Sequence, residues 1–219
     1  GDITGETEIN STVNVFGGYV EAQEFAVSAQ GKGATLNISD GVMVGKDNAA
    51  VAGNGSNSEG NRRGGTTINI SGGTMIGHIE TVQNSNGDPY IACGIYHPQS
   101  GELNITGGTI YAGSNGRTGV GILMRGGTLE ISNATVTATG SISGCVGDSN
   151  IVVGGSAVLF DYQSNYYDRA NTTVEISSGS FTSDAGVESI AVRADGEEDK
   201  ATATNAFSIS GGTFSSNVS

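Results

Sequence analysis

The sequence predicts an all-β fold in which short strands stack in parallel as a β-solenoid, and three observations favour it. One nine-residue unit recurs seven times, its apolar positions follow the period of a strand, and its turns contain glycine. Glycine accounts for 37 of the 219 residues and proline for 2, a balance typical of short strands joined by tight turns. The length suits one core, so residues 1–219 are interpreted as a single domain.

The repeated unit is degenerate but recognisable along the whole chain. Its copies are TVNVFGGYV (12–20), TLNISDGVM (35–43), TINISGGTM (67–75), ELNITGGTI (102–110), TLEISNATV (128–136), TVEISSGSF (173–181) and AFSISGGTF (206–214). The spacing ranges from 23 residues, between Val15 and Ile38, to 45 residues, between Ile131 and Ile176. A fixed unit with variable spacing predicts coils of constant geometry joined by loops of differing length.

Each copy is predicted to form a strand, a glycine corner and a second strand. The central aliphatic residue, the residue two before it and the residue five after it are apolar in every copy, so all three face inward. The residue three after the centre is glycine in six copies and Ala134 in the fifth, and a small residue there lets the backbone turn. The central residues are Val15, Ile38, Ile70, Ile105, Ile131, Ile176 and Ile209.

A third strand is predicted after a variable loop in most copies. These segments are EFAVSA (24–29), NAAVAG (48–53), CGIYHP (93–98), VGILMR (120–125), AVLFDY (157–162) and SIAVRA (189–194). Three strands per coil predict about seven triangular coils stacked ~4.8 Å apart, with ladders of like residues. Neither terminal copy has an obvious polar cap, so we expect a fragment of a longer protein or ends covered by other segments.

The formal net charge of −13 limits the classes of partner. It argues against nucleic acid, which is bound by clustered Lys and Arg, and against anionic membrane surfaces. No apolar run approaches the ~18 residues of a spanning helix, so membrane insertion is not expected. An acidic surface serves solubility and is also compatible with calcium.

The two cysteines do not make a disulfide scaffold. Cys93 is predicted to face inward as a small buried hydrophobic residue. Cys145 lies in the insertion 139–155, beyond disulfide reach of Cys93 unless that insertion folds back. His97, at the end of a third strand, is interpreted as a packing or surface residue.

The segments ISGGTFSSNVS (209–219), TINISGGTM and ELNITGGTI are characteristic of the repeat. The repeat resembles the β-helix repeats of large secreted or cell-wall-associated proteins of gut bacteria, over nearly the whole chain. The resemblance implies a right-handed parallel β-helix, an extracellular location and mosaic proteins with adhesion-type modules. The wider β-helix class includes pectin-degrading lyases and polysaccharide hydrolases, which keeps an enzyme as an alternative by analogy of fold.

One outward column combines amides and carboxylates. It consists of Asn14, Asn37, Asn69, Asn104, Glu130, Glu175 and Ser208. Stacked Asn amides are expected to hydrogen-bond along the column. Glu130 and Glu175 fall on neighbouring coils, so they are expected to splay into water, to share a cation, or to share a proton as a catalytic pair does.

A second outward column is predicted to contain Arg125, Asp161 and Arg193 on three successive coils. Such a column makes a surface ladder of ion pairs worth under ~1 kcal/mol each, or contacts with sugar hydroxyls.

Two long loops, at 161–172 and 194–205, leave the same corner on consecutive coils. Clustered carboxylates there predict calcium binding, and the tyrosines predict stacking on sugar faces; the alternative is two solvated loops. The tyrosines are Tyr162, Tyr166 and Tyr167, and the carboxylates are Asp161, Asp168, Asp195, Glu197, Glu198 and Asp199. No cofactor other than calcium is expected.

Three function hypotheses follow from the sequence. The first is a non-enzymatic extracellular module that acts as a rigid spacer or adhesin-like surface, with host or environmental glycans as partners. The second is a β-helix that binds or cleaves polysaccharide. The third is a phage or virion fibre, which trimerisation in solution would support.

Overall fold

A computed structural model of the chain describes residues 10–53, 65–78, 83–113, 118–140, 143–145, 151–162, 173–183, 192–196 and 206–216. At residues 143, 145, 151–153, 161–162 and 192–196 the structure describes the backbone alone. Twenty strands and no helix occur in these ranges. The expected all-β class is therefore confirmed for the described part of the chain.

The strands are short apart from two of twelve residues, β1 and β3. In chain order they are β1 (Ser11–Ala22), β2 (Phe25–Ala29), β3 (Ala34–Gly45), β4 (Ala49–Gly53), β5 (Thr66–Ile70), β6 (Thr74–Gly77), β7 (Ala92–His97), β8 (Gly101–Ile105), β9 (Thr109–Ala112), β10 (Gly119–Met124), β11 (Thr128–Ile131), β12 (Ala134–Ala138), β13 (Ser143–Cys145), β14 (Ile151–Val153), β15 (Val158–Tyr162), β16 (Thr173–Ile176), β17 (Gly179–Ser183), β18 (Val192–Gly196), β19 (Ala206–Ile209) and β20 (Thr213–Ser216).

The strands form two parallel sheets and one small hairpin. The first sheet has twelve strands, in the order β19-β16-β11-β8-β5-β3-β6-β9-β12-β17-β20, with β1 paired to β3. The second has six strands, in the order β18-β15-β10-β7-β4-β2, and each of the six predicted third strands coincides with or overlaps one of them. β13 and β14 pair with each other in antiparallel orientation.

Every copy of the repeat pairs with the next copy through its apolar columns, and the pairing of β1 with β3 has a local register shift at Phe16. Within the first sheet Val13 lies opposite Leu36, and the same column continues through the other copies to Phe207. The second half of each unit is aligned in the same way, from Val20 opposite Met43 to Phe181 opposite Phe214. The columns predicted from the repeat are therefore confirmed as ladders.

The inward columns supply the main core. Side chains two before the centre, at the centre and five after it are fully buried in the middle copies, as at Ile68, Ile70 and Met75. Val51, Ile95, Ile122 and Val158 of the second sheet complete the same cluster. Burial of each such side chain stabilises the fold by roughly 1.5–3 kcal/mol.

The corner between the two strands of a unit depends on a left-handed residue. At Gly73 φ is +86°, and a Cβ added there would lie 3.0 Å from the carbonyl oxygen of Gly41. The fifth copy has Ala134 at this position, and the positive φ moves one residue earlier, to Asn133 at 56°. Asparagine tolerates this region better than alanine, and the backbone N–H of Asn133 donates to Ser178 Oγ at 2.9 Å. The fifth copy therefore forms the same corner without a glycine at this position.

A second apolar cluster lies on the other face of the second sheet. Leu123 and Leu159 belong to it, whereas their neighbours Ile122 and Val158 belong to the main core. Ile91, just before β7, also belongs to this second cluster and is fully buried. A Cβ on Gly144 of β13 would lie 3.0 Å from Cγ1 of Ile91, so the hairpin of insertion 139–155 folds back onto the segment before β7.

Candidate functional site

The outward amide column forms a hydrogen-bonded ladder along the first four copies. Nδ2 of Asn37 donates to Oδ1 of Asn14 at 2.9 Å, Asn69 to Asn37 at 2.8 Å, and Asn104 to Asn69 at 3.0 Å. The expected ladder is confirmed. Asn37 and Asn69 each use one donor and one acceptor, Asn14 uses its acceptor and Asn104 a donor, so this part of the face has fewer polar groups left for a ligand.

The ladder ends where Glu130 follows Asn104 in the same column. Glu130 lies directly opposite Asn104 on one side and Glu175 on the other, so the predicted adjacency of the two carboxylates is confirmed. Both glutamates are exposed. They line a shallow groove of about 130 Å³ with Asn104, Thr106, Ser132 and Ser177. The groove places two carboxylates and several hydroxyls together on an open face.

The predicted column of Arg125, Asp161 and Arg193 is wrong in register. Asp161 lies opposite Asp195, whereas Arg193 lies opposite Leu159, two residues earlier along the strand. The prediction aligned 189–194 with 157–162, whereas Val158 lies opposite Val192, so the observed register differs from the predicted one by two residues. Arg193 therefore does not continue the row of Asp161.

Arg125 is buried instead of lying on an open surface. Its side chain is 0% exposed, Nη1 donates to the hydroxyl of Tyr96 at 2.9 Å, and the guanidinium lies 5.4 Å from the centre of the Tyr96 ring. Such contacts belong to a packed corner next to the second apolar cluster. The proposed role of Arg125 in holding sugar hydroxyls at the surface does not fit this burial.

Most of the residues predicted for the calcium and tyrosine loops lie outside the described residues. Tyr166, Tyr167, Asp168, Glu197, Glu198 and Asp199 are among these. The backbones of Asp161 and Tyr162 lie in β15, and those of Arg193 and Asp195 lie in β18. Pairing of β15 with β18 brings the bases of the two loops onto adjacent strands. The binding hypotheses for these loops stay predictions.

Around His97 lies a buried polar corner that the repeat pattern does not predict. His97 is fully buried, its Nδ1 donates to the carbonyl of Gly126 at 3.2 Å, and no described residue meets its Nε2. Burial lowers the pKa of His97 to about 4, against the opposing effect of the bond to Gly126. Gln99, also fully buried, hydrogen-bonds to the hydroxyl of Thr66 in the preceding copy. These contacts join neighbouring copies, and they serve packing.

Cys93 is buried as predicted, but it packs in the second cluster and not in the main core. The inward position is taken by Gly94, where a Cβ would lie 2.3 Å from Cγ2 of Ile110. The alternation of side chains between the two faces of β7 is therefore interrupted at Gly94, and Cys93 lies on the other face of the sheet. The thiol is free, and burial raises the pKa of Cys93 to about 12, which suppresses thiolate chemistry.

Exposed apolar side chains of the described chain are confined to its first and last copies. They are Val13, Phe16, Tyr19, Val20, Ile209 and Phe214. Beside them, Tyr19 donates to Glu21 at 2.5 Å and Lys46 pairs with Glu21 at 2.7 Å. The bond from Lys46, followed by that from Tyr19, lowers the pKa of Glu21.

The described ranges contain no group of three or more His, Cys, Asp or Glu side chains arranged to hold a metal ion. They also contain no helix long and apolar enough to cross a membrane. Comparison with protein-family models, with curated proteins and with solved structures finds no match.

Proposed function

We propose that the chain is a right-handed parallel β-helix of about seven coils, and that it acts as a non-enzymatic rigid spacer or adhesin-like surface in an extracellular bacterial protein. The observation that carries this proposal is the parallel pairing of all seven copies in the first sheet, in which the apolar columns stay aligned from the first copy to the last despite a local register shift at Phe16 of β1. Parallel strands in register stack ~4.8 Å apart, so seven coils make a stiff rod of roughly 30 Å. The bacterial and extracellular parts of the proposal rest on the ISGGTF-type resemblance.

The outward face supports a structural role. Four Asn amides are occupied by one another along the ladder. The buried titratable groups His97 and Cys93 have pKa values shifted away from neutrality, which disfavours their use as acid, base or nucleophile near pH 7. Such a rod has a rigid geometry and loops of variable length at its edges, which suits a spacer or an adhesin-like surface.

A cleavage assay tests the non-enzymatic part of the proposal. The purified chain is incubated with a panel of neutral and acidic polysaccharides, and reducing ends and unsaturated products are measured. We expect no product above background.

A second candidate function is polysaccharide binding or cleavage at the groove of Glu130 and Glu175. The specific observation in its favour is that the two carboxylates lie opposite each other in that groove. Product that is lost in Glu130→Gln or Glu175→Gln, but kept in the control Glu102→Gln on the same face, would replace our proposal with this one.

A glycan and mucin array, run with calcium and with chelator, separates spacer from adhesin. Specific binding that is lost on Tyr166→Ala or Tyr167→Ala assigns recognition to the 161–199 loops. Absence of binding in both conditions leaves the spacer role.

A further inference from the structure

The second strand of each repeat unit presents an outward face that differs from the face of the amide ladder. In β9, β12 and β17 side chains alternate between the core and this face, and the three strands pair without a register shift. Two outward columns result, which we call the hydroxyl strip. The strip consists of Thr109, Tyr111, Thr135, Thr137, Ser180 and Thr182. It belongs to the fourth, fifth and sixth copies, so described copies flank it on both sides.

The hydroxyls of this strip are open, unlike the amides of the ladder. Thr109, Thr135 and Ser180 are exposed, and no hydrogen bond within the described part of the chain uses their hydroxyl groups. Each such hydroxyl can donate one hydrogen bond and accept two. The strip therefore repeats the same polar group from copy to copy, at intervals of ~4.8 Å.

Apolar groups lie between these hydroxyls. Tyr111 is half-buried and lies opposite Thr137, and the threonines add their methyl groups. Sugar rings combine the same two chemistries, because their C–H faces contact aromatic rings and methyl groups while their hydroxyls form hydrogen bonds at the edges. The strip is therefore complementary to a sugar chain.

Charge favours a neutral ligand on this face. The strand sequences TIYA, ATVTA and GSFTS contain no charged residue, although the chain has a net charge of −13. The neighbouring outward face carries Glu102, Glu130 and Glu175. A cationic partner is attracted to that acidic face, and an anionic partner is repelled by the whole molecule.

The dimensions of the strip favour a narrow polymer over a protein. Three strands, with outward side chains two residues apart, make a strip of roughly 14 by 7 Å. A specific protein interface covers about 800 Å² on each partner, which is far more than the strip provides. A peptide that adds a strand needs unpaired backbone groups at a sheet edge, whereas β9, β12 and β17 are each paired on both sides.

We propose that the hydroxyl strip binds a neutral, extended, β-linked polysaccharide. The chain lies along the columns, with ring faces on Tyr111 and on the threonine methyl groups, and with its hydroxyls bonded to Thr109, Thr135 and Ser180. The site uses neither the groove of Glu130 and Glu175 nor the 161–199 loops. It rests on the adhesin-like half of the proposed function, for which it names the partner.

Nuclear magnetic resonance titration of the isotope-labelled 219-residue chain locates the site. The probes are cellohexaose, xylohexaose and mannohexaose, which are extended, and maltohexaose, whose α-linked chain is coiled. We expect at least one extended probe to bind with a Kd of about 1 mM or tighter and to shift the amide signals of β9, β12 and β17. Maltohexaose is expected to cause no such shift.

Paired substitutions test the named side chains. Thr109→Val combined with Thr135→Val removes two hydroxyls and keeps β-branched side chains that suit strands, and affinity is expected to fall about tenfold or more. Tyr111→Ala is expected to weaken binding as well. The matched control is Thr128→Val combined with Thr173→Val, on β11 and β16 of the neighbouring face, which is expected to bind like the wild type.

The proposal is overturned if no extended probe binds at about 10 mM, if maltohexaose binds equally well, or if the paired strip variant keeps full affinity. Equal loss in the control pair would also overturn it. Binding that disappears with chelator or in Glu130→Gln would assign the sugar to the loops or to the groove, and would overturn it too. The shift map of the wild type decides the question if a variant fails to fold.

Sugar products are measured in the same samples, so that the two proposals fail separately. Cleavage of a probe would contradict the non-enzymatic function, whereas binding that is lost in the strip variants would still support this site. Absence of binding would overturn this site and leave the spacer role in place.

Discussion

His97 shows how a single polar side chain is accommodated in an apolar column. Its backbone pairs with Met124, a core residue, and its ring is held by the bond from Nδ1 to Gly126 O. The titratable groups beside it are Tyr96 on its own strand and Arg125 in the next copy, whose backbone N–H donates to the His97 carbonyl at 2.9 Å. A neutral imidazole keeps the bond to Gly126 without burying a charge, whereas a protonated ring would bury a positive charge at this corner.

Acid is therefore expected to destabilise the fold through His97. The folded pKa of about 4 lies below the ordinary value of 6.5, so the unfolded chain takes up the proton first. The stability that the neutral ring contributes is fully present above about pH 6.5, and it is lost as pH falls to about 4. The loss amounts to about 3 kcal/mol of unfolding free energy.

Urea unfolding at pH 7.0, 5.5 and 4.5 measures this loss. His97→Asn keeps a donor for Gly126 O and is expected to flatten the decline, whereas the control His78→Asn is expected to leave it in place. An unchanged decline in His97→Asn would show that other groups cause it.

At the scale of the strand, the sequence was a good guide wherever the repeat was regular. Columns such as Leu36 to Val174 were predictable because alternation and the constant unit fix which side chains face the core. The prediction failed where a glycine broke alternation, as Gly94 does for Cys93, and where β18 pairs two residues out of the expected register, as for Arg193. The burial of Arg125 and His97 could not be predicted, since it depends on neighbouring copies packing around the corner.

The amide ladder predicts a stabilising substitution at its end. Glu130→Asn continues the column after Asn104 and removes a like charge opposite Glu175. One added hydrogen bond contributes about 1 kcal/mol, so Tm is expected to rise by a few degrees.

Thermal melting monitored by circular dichroism checks this expectation. Glu102→Asn is the matched control, because it removes one negative charge from the same face outside the ladder. Equal effects of the two substitutions would show that charge alone, and not the ladder, determines the gain.

At the scale of the molecule, strands of the two main sheets pair with strands of adjacent copies, so each copy is supported by its immediate neighbours. The hairpin β13–β14 is an exception, since it reaches back from the fifth copy to Ile91. The free energy of unfolding of such a chain is approximately the sum of contributions from interactions within each copy and from interactions between neighbouring copies.

Removal of one whole unit should therefore leave a folded protein. Deletion of residues 102–127 joins Gly101 to Thr128, and Thr128 takes the place of Glu102, its partner in the register. We expect cooperative unfolding at a lower Tm and a particle about 5 Å shorter by small-angle scattering. Deletion of residues 102–113, which removes β8 and β9 but leaves β10, is expected to abolish cooperative unfolding; equal behaviour of the two deletions would contradict the modular arrangement.

The amide ladder also gives the molecule an electrical direction. Nδ2 of Asn37, Asn69 and Asn104 each donates to the amide of the preceding copy, so the dipoles along the ladder add head to tail, as peptide dipoles do in a helix. The positive end lies at Asn14, and the negative end lies at Asn104. An oxygen is therefore favoured ahead of Asn14 and a donor or cation beyond Asn104, where the chain instead places the carboxylate of Glu130.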